Sequence, residues 1–228
     1  MTLQLKTNKL FYGKWPFKVE CYLKGSNKIT RNGHNETIEW CLRDSASKIH
    51  YHIEKDIDRG ELYKFAIKVN KYSKKDVQFR TEGNTFNIYF KDQDLLKDIQ
   101  QELYQWIKVV SAPESAREYQ YLLEAGRSTV LCNALPYKKY QYKIIFSTKM
   151  TTDQRINFLR WTENYGDKMH IAGHSLRWFL GKKPWMQDPF MYLEDNKLLS
   201  MVLLYLGSNC NRIQEFVLKS SINTPCPH

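Results

Sequence analysis

Residues 88–96 read IYFKDQDLL, and residues 191–199 read MYLEDNKLL. The two segments align without a gap at an offset of 103 residues (88 to 191). Tyr89 then falls against Tyr192, Asp92 against Asp195, Leu95 against Leu198 and Leu96 against Leu199. Each segment reads as a short aromatic strand, an Asp, and a helix that opens on a Leu-Leu pair. Further on, Leu103 matches Leu206. A β-turn-α unit that recurs about once per hundred residues implies two α/β units of similar plan.

Working outward from the second copy, residues 140–147 (YQYKIIFS) read as a strand. Thr151 and Gln154 offer a capping box to a helix ending near Tyr165, with Gly166 beyond it. A short strand at 168–172, a helical turn at 176–180, a strand at 190–193, a helix at 197–206 stopped by Gly207, and a strand at 212–218 complete the half. This is a βαβ–βαβ order, the split-βαβ or ferredoxin-like pattern. The first half shares the closing β-α-β at 85–110, led in by a hairpin turn at Glu82-Gly83-Asn84. Its opening reads as more β-rich, with strand signals at 17–23, 37–42, 48–53, 63–69 and 77–81. Between the halves, Ser111-Ala-Pro-Glu114 is a helix N-terminus signature, and the helix runs to about Ala125 before Gly126. The expected fold is therefore α+β with two plait-like, ferredoxin-like halves. Residues 1–110 form the β-rich first half and residues 111–134 a connecting helix and linker. Residues 135–220 form the second half, and residues 221–228 a polar tail held irregular by Pro225 and Pro227.

The charge balance is what points to a partner. Thirty-five Lys and Arg oppose 24 Asp and Glu, leaving +11 on 228 residues. Lys dominates, and an ammonium acts as a point charge rather than a bidentate reader. That favours salt-sensitive attraction to phosphate over a base code written in Arg. Five scattered cysteines (Cys21, Cys41, Cys132, Cys210, Cys226) contain no C-x-x-C pair. They argue against a disulfide framework or a structural zinc site and suggest a reducing compartment. No secretory h-region opens the chain, and the longest apolar run, residues 201–206, is far short of the roughly 20 residues of a membrane span. The expectation is a cytoplasmic or otherwise intracellular protein, in a host cell or virion if its source is viral, with no membrane partner.

Candidate binding residues follow from aromatic and basic interleaving around residues 135–149. Alternation would place Tyr140, Tyr142, Ile144 and Phe146 on one face of a strand and Lys143 on the other. Phe190 and Tyr192 share a face of a second strand. Exposed aromatics of this kind stack bases while lysines hold the backbone. Lys138 and Lys139 adjoin this strand. Two further basic segments fit a phosphate backbone: 68–75, with Lys68, Lys71, Lys74 and Lys75, and 182–185, with Lys182, Lys183 and Trp185. The competing reading makes the strand aromatics core and the lysines a solvated face. The RNA-recognition consensus of the third strand is absent at 188–192.

Catalytic signatures are lacking. His50 and His52 flank Tyr51 on a strand-like segment, and such a pair with a Tyr nucleophile, here Tyr140, is used by metal-dependent nicking nucleases. Tyr140 falls at a strand start rather than on a helix, which weakens that reading. His170 and His174 are separated by Gly173 and lack the Glu of a metalloprotease helix. No phosphate-binding glycine loop or nucleophile elbow occurs. The sequence thus points to a non-catalytic nucleic-acid-binding accessory protein for single strands or RNA, with no cofactor and no metal, acting in replication, transcription or RNA handling. A structural or assembly component with a protein partner or self-association is the second reading, and a His-dependent nuclease the third.

Overall fold

The computed structural model describes residues 2–32, 57–72, 75–126, 128–182 and 186–223. The strand expectations at 37–42 and 48–53 lie outside the described residues, as do His50, His52, Lys74, Lys183 and Trp185. The fold is α+β, with two mixed five-stranded sheets, each interleaved with helices. Two compact units divide the chain between Tyr119 and Gln120.

The first unit contains β1 (Leu3–Lys6), β2 (Phe17–Tyr22), α1 (Asn27–Asn32), α2 (Arg59–Asn70), β3 (Val77–Glu82), β4 (Thr85–Phe90), α3 (Gln93–Leu103) and β5 (Ile107–Ala112). The strand order is β1-β5-β2-β4-β3, with β1 parallel to β5 and every other pair antiparallel. Helix α4 (Ala116–Ala125) contains the boundary between units. The second unit contains β6 (Thr129–Cys132), β7 (Tyr142–Phe146), α5 (Thr152–Thr162), β8 (Met169–Ile171), α6 (Gly173–Phe179), β9 (Phe190–Leu193), α7 (Asn196–Leu206), β10 (Cys210–Leu218) and α8 (Lys219–Asn223). Its order, β6-β10-β7-β9-β8, repeats the first strand for strand, again with only the edge strand parallel.

The repetition extends to defects. Opposite β2 the pairing of β5 skips Lys108, and opposite β7 the pairing of β10 skips Asn211. These bulged residues are related by the same 103-residue offset as the two sequence segments. Helices α3 and α7 share that offset at both ends, from Gln93 and Asn196 to Leu103 and Leu206. Asp92 caps the first by accepting a hydrogen bond from the Asp94 amide, and Asp195 caps the second by accepting one from the Leu198 amide, both at 2.8 Å.

Each sheet buries one face under its helices. Phe17, Val19, Cys21, Phe86, Ile88, Phe90 and Val110 form the sheet side of the first core, packed on Leu62, Phe65, Ala66, Val69, Ile99 and Leu103. Ile144, Phe146, Met191 and Leu193 play that part in the second, under Phe158, Trp178, Phe179, Leu199, Val202 and Leu206. Burial drives the Cys21 thiol pKa up to about 12.

Three local expectations are corrected. Residues 63–69 alternate like a strand but lie within α2, because the residues that reach the core are Leu62, Phe65, Ala66 and Val69, the i, i+3, i+4, i+7 set of a helix. Asp58 caps it by accepting from the Glu61 amide. Ser111 is not a helix cap: it is the penultimate residue of β5, and Ser115 accepts the Glu118 amide at the start of α4. Residues 129–132, assigned to the linker by sequence, form edge strand β6. No helix of the described residues is long and apolar enough to cross a membrane.

The caps give a direct check on the repeat. Asp92→Ala and Asp195→Ala should each cost about 0.5–2 kcal/mol, while the Asn variants retain nearly all the stability. Urea denaturation midpoints decide it, and unchanged Ala variants would remove capping as the reason both aspartates occur.

Candidate nucleic-acid interface

Alternation along β4 and β9 divides their side chains between the helix-covered core and the opposite sheet face. Met191 and Leu193 join the core, so Phe190 and Tyr192 stand on the opposite face. Register then selects their neighbours. Lys143 of β7 and His170 of β8 lie directly opposite Tyr192, and Ile145 lies opposite Phe190. The Lys143 ammonium sits 3.8 Å from the centre of the Phe190 ring, close enough for a cation–π contact. In the first sheet, Lys18 and Gln78 flank Tyr89 in the same register.

A loop before the central strand completes each patch. In the second unit Pro136–Lys138 forms a single 3₁₀ turn in which Tyr137 and Lys138 take left-handed backbone angles, φ 52° and 58°. This turns the Tyr137 ring onto the sheet, 5.6 Å from Tyr192 and 4.4 Å from His170, while leaving it 63% exposed. Tyr140 is buried beneath, stacked at 5.9 Å on His170 and 6.0 Å on Tyr192, and its hydroxyl donates to the Asp167 carbonyl. Phe190 and Phe216 extend the ring cluster from Tyr192.

The first unit repeats this construction. Tyr12 has φ 52°, is 49% exposed, and meets Tyr89 edge-on at 5.1 Å. Buried Trp15 takes the position of Tyr140 and donates its indole N–H to Gln78 at 2.8 Å. Arg80 lies over the Tyr12 ring at 5.4 Å and donates to its hydroxyl. Lys18 sits 5.9 Å from the Tyr89 and Phe11 rings and pairs with Glu20 at 2.6 Å. Among the described residues only Tyr12, Tyr137, Lys138 and Asp188 take left-handed angles without being glycine. Three of the four lie in these two loops, and strain of that kind persists where surrounding contacts over-determine it.

Electrostatics distinguish the patches. Burial raises the Tyr192 phenol above the ordinary tyrosine range, with Tyr137 adding to it. Burial raises Tyr89 as well, helped by its hydrogen bond with Tyr12. The hydrogen bond from Lys139 holds the Asp167 carboxyl below its usual range, and that bond in turn raises the lysine.

The structure brings Lys143, Phe190 and Tyr192 together and sets Lys138 in the adjoining loop. Tyr142 belongs to the other face: it packs against the core with Ile144 and Phe146, so the expected platform mixed residues from both sides of the sheet. Tyr140 precedes the strand rather than alternating within it. Lys139 is engaged with Asp167 and Glu194. Lys68 donates to the Glu102 carbonyl, and both Lys68 and Lys71 pair with the Glu102 carboxylate, so these two serve the first unit's own helices. Lys75 lines a separate cleft, and Lys182 is exposed beyond α6. Sequence reasoning missed Tyr12, Lys18, Arg80, Tyr89, Tyr137 and His170 as members of a patch. A signal was present: residues 12–18 read YGKWPFK and residues 137–143 read YKKYQYK, matching in Tyr, Lys and Lys with aromatics at the same two places. Their offset of 125 differs from 103, which hid them from a search at a single period.

Among the described residues no group of three or more His, Cys, Asp or Glu is placed to hold a metal ion. Comparison of the chain with protein-family models, with curated proteins and with solved structures finds no match.

The raised phenols tie stability to pH. A tyrosine harder to ionise when folded stabilises the fold below its unfolded pKa of about 10, and that contribution is lost as pH rises through the folded value. Near-ultraviolet tyrosinate absorbance should show a late-titrating group in the native protein that Tyr192→Phe diminishes, and the unfolding midpoint should fall above about pH 10. A single native transition coinciding with that of the denatured chain would contradict the burial of these rings.

Proposed function

We propose that this protein binds single-stranded nucleic acid, RNA or DNA, through two equivalent aromatic-basic patches, and that it acts without catalysis in replication, transcription or RNA handling inside a cell or virion. The observation that carries this reading is the pairing of an exposed loop tyrosine with a strand tyrosine and a lysine, built twice by the same register. An exposed ring backed by a second ring offers a stacking platform that accepts any base, and the neighbouring ammonium groups suit the phosphates between bases. The net charge of +11 supports a polyanionic partner. Lysines rather than bidentate arginines dominate, which favours loose backbone contact over duplex sequence reading.

We also read each unit as a ferredoxin-like plait with one added edge strand. Without β1, the first sheet runs β5-β2-β4-β3, which is the fourth, first, third and second strand of a βαββαβ unit. The second sheet without β6 follows the same order. In such a plait the first and third strands are central, and here they carry the lysine and the tyrosine of each patch.

One observation favours the assembly reading as a second possibility. Leu204 and Tyr205 on α7 are 86% and 44% exposed, and Tyr205 packs on Trp161. The matching residues of α3 are Gln101 and Glu102, so this apolar surface belongs to the second unit alone. Self-association abolished by Leu204→Glu, with no affinity for oligonucleotides, would favour assembly.

The deciding experiment is fluorescence anisotropy with labelled single-stranded RNA, single-stranded DNA and duplex DNA at two salt concentrations. Salt-sensitive binding that prefers single strands is expected. Tyr137→Ala and Tyr12→Ala should each weaken it by about 1–3 kcal/mol, roughly five- to 150-fold, with Tyr137→Phe close to wild type. Absence of low-salt binding would overturn the reading. Magnesium-dependent cleavage lost in His50→Ala would replace it with the nuclease reading.

A further inference from the structure

The register that equates the two sheets also equates the residues at their ends. It matches Lys14 with Lys139, Trp15 with Tyr140, Lys75 with Asp167 and Lys91 with Glu194. In the second unit the Lys139 ammonium lies 2.6 Å from Asp167 and 3.4 Å from Glu194, so the charge is answered within the protein. In the first unit both carboxylate positions are occupied by lysines. Lys14, Lys75 and Lys91 line one cleft of about 460 Å³ together with Trp15, Asp76, Asp92 and Leu95. Three lysines face two aspartates there, whereas the matching positions of the second unit hold Lys139 and Lys168 against Asp167, Glu194 and Asp195.

One of the two aspartates is already engaged. The Asp92 side chain is turned to the Asp94 amide as the cap of α3. Among the described residues no carboxylate lies within salt-bridge distance of Lys14 or Lys91. Lys14 is instead held over the Trp15 ring, 4.3 Å from its centre, and the ring is fixed by its bond to Gln78. The cleft is thus net positive where the duplicate has an internal ion pair.

We propose that this cleft is a phosphate site, and that the phosphate it takes belongs to the nucleic-acid strand stacked on Tyr12. The second half of that statement rests on the nucleic-acid reading above; the first does not. Lys14 is two residues along the same loop from Tyr12, which places a phosphate site next to a base platform in the first unit. The second unit, with Asp167 and Glu194 in place of Lys75 and Lys91, stacks bases without a matching phosphate cleft.

The test installs the second unit's residues in the first. Lys75→Asp/Lys91→Glu, with Lys75→Gln/Lys91→Gln as a gentler variant, is compared with wild type and with Lys168→Gln/Lys197→Gln, which removes two exposed charges elsewhere. Two readouts are taken: thermal stabilisation by inorganic pyrophosphate at low salt, and the salt dependence of anisotropy binding to single-stranded RNA. Pyrophosphate should raise the melting temperature of wild type and of the control pair but not of the cleft variants. The cleft variants should bind RNA about tenfold more weakly, with the log–log salt slope shallower by about 1. Equal stabilisation of all proteins by pyrophosphate, or of none, would overturn the phosphate site, and an unchanged salt slope in the cleft variants would overturn the strand as its source. Pyrophosphate stabilisation that the cleft variants lose, in a protein that binds no strand, would uphold the cleft and overturn the strand as its source.

Discussion

Burial of Ile88 and Phe90 in one sheet, and of Met191 and Leu193 in the other, fixes the direction of Tyr89 and Tyr192. Strand side chains alternate, so a tyrosine between two core residues has no choice of face, and a one-residue slip would exchange apolar rings for phenols in the core. The rest of both patches follows. Hydrogen-bonded register brings Lys18 and Lys143 opposite those tyrosines, and the loops before β2 and β7 are held tightly enough to keep Tyr12 and Tyr137 left-handed. The apolar core and the polar-aromatic surface are two consequences of one pairing.

The shared bulge shows how far the two units keep a common plan. A bulge leaves one residue unpaired and bends its strand, and it tends to be retained because the local geometry depends on it. Here Lys108 and Asn211 hold the same bulge at the same point beside the central strand. Divergence is confined to what the plan does not require. Helix α2 differs from α5 in the residues it presents, Asn87 stands where the second unit has Phe190, and β1 pairs with an earlier part of β5 than β6 does of β10. Surface charge diverges too, as Lys75 and Lys91 against Asp167 and Glu194 show, and exposed pairs contribute little to stability.

Legibility followed the same division. The α3 and α7 helices, their Asp caps, the hairpin at Gly83 and the capping box at Thr151 were readable because each is specified by residues close together in the chain. Helix α2 was not, since Tyr63, Phe65, Ile67 and Val69 satisfy a period of two as well as Leu62, Phe65, Ala66 and Val69 satisfy a period of 3.6. Only the core on which the helix packs, with Phe86 and Trp106 against Phe65, decides between them. Phe190 and Tyr192 were read as sharing a face, and the β7–β9 register brings Lys143 beside them. Tyr142 was assigned with them because alternation gives the spacing of a face but not which face is covered. Lys68 and Lys71 looked like free phosphate ligands for a related reason: Glu102, their partner, lies some thirty residues away in sequence.

The duplicate also serves as an internal control on what the lysines are for. Position by position, the second unit shows what this corner of the fold needs for itself: a lysine between β6 and β7 bridging Asp167 and Glu194 across the sheet end. If that bridge were a structural requirement, the first unit would keep it, since its strands, caps and bulge are the same. It holds Lys75 and Lys91 instead, so that three lysines and two aspartates line one cleft, a net positive charge where the second unit is net negative. An excess of like charge disfavours the compact state unless an anion from outside joins it. Binding to the folded state alone supplies the compensating stabilisation, in proportion to the logarithm of ligand concentration over its dissociation constant. The repulsion in the first unit and the affinity of its cleft are therefore the same electrostatic energy, read without and with a phosphate in place.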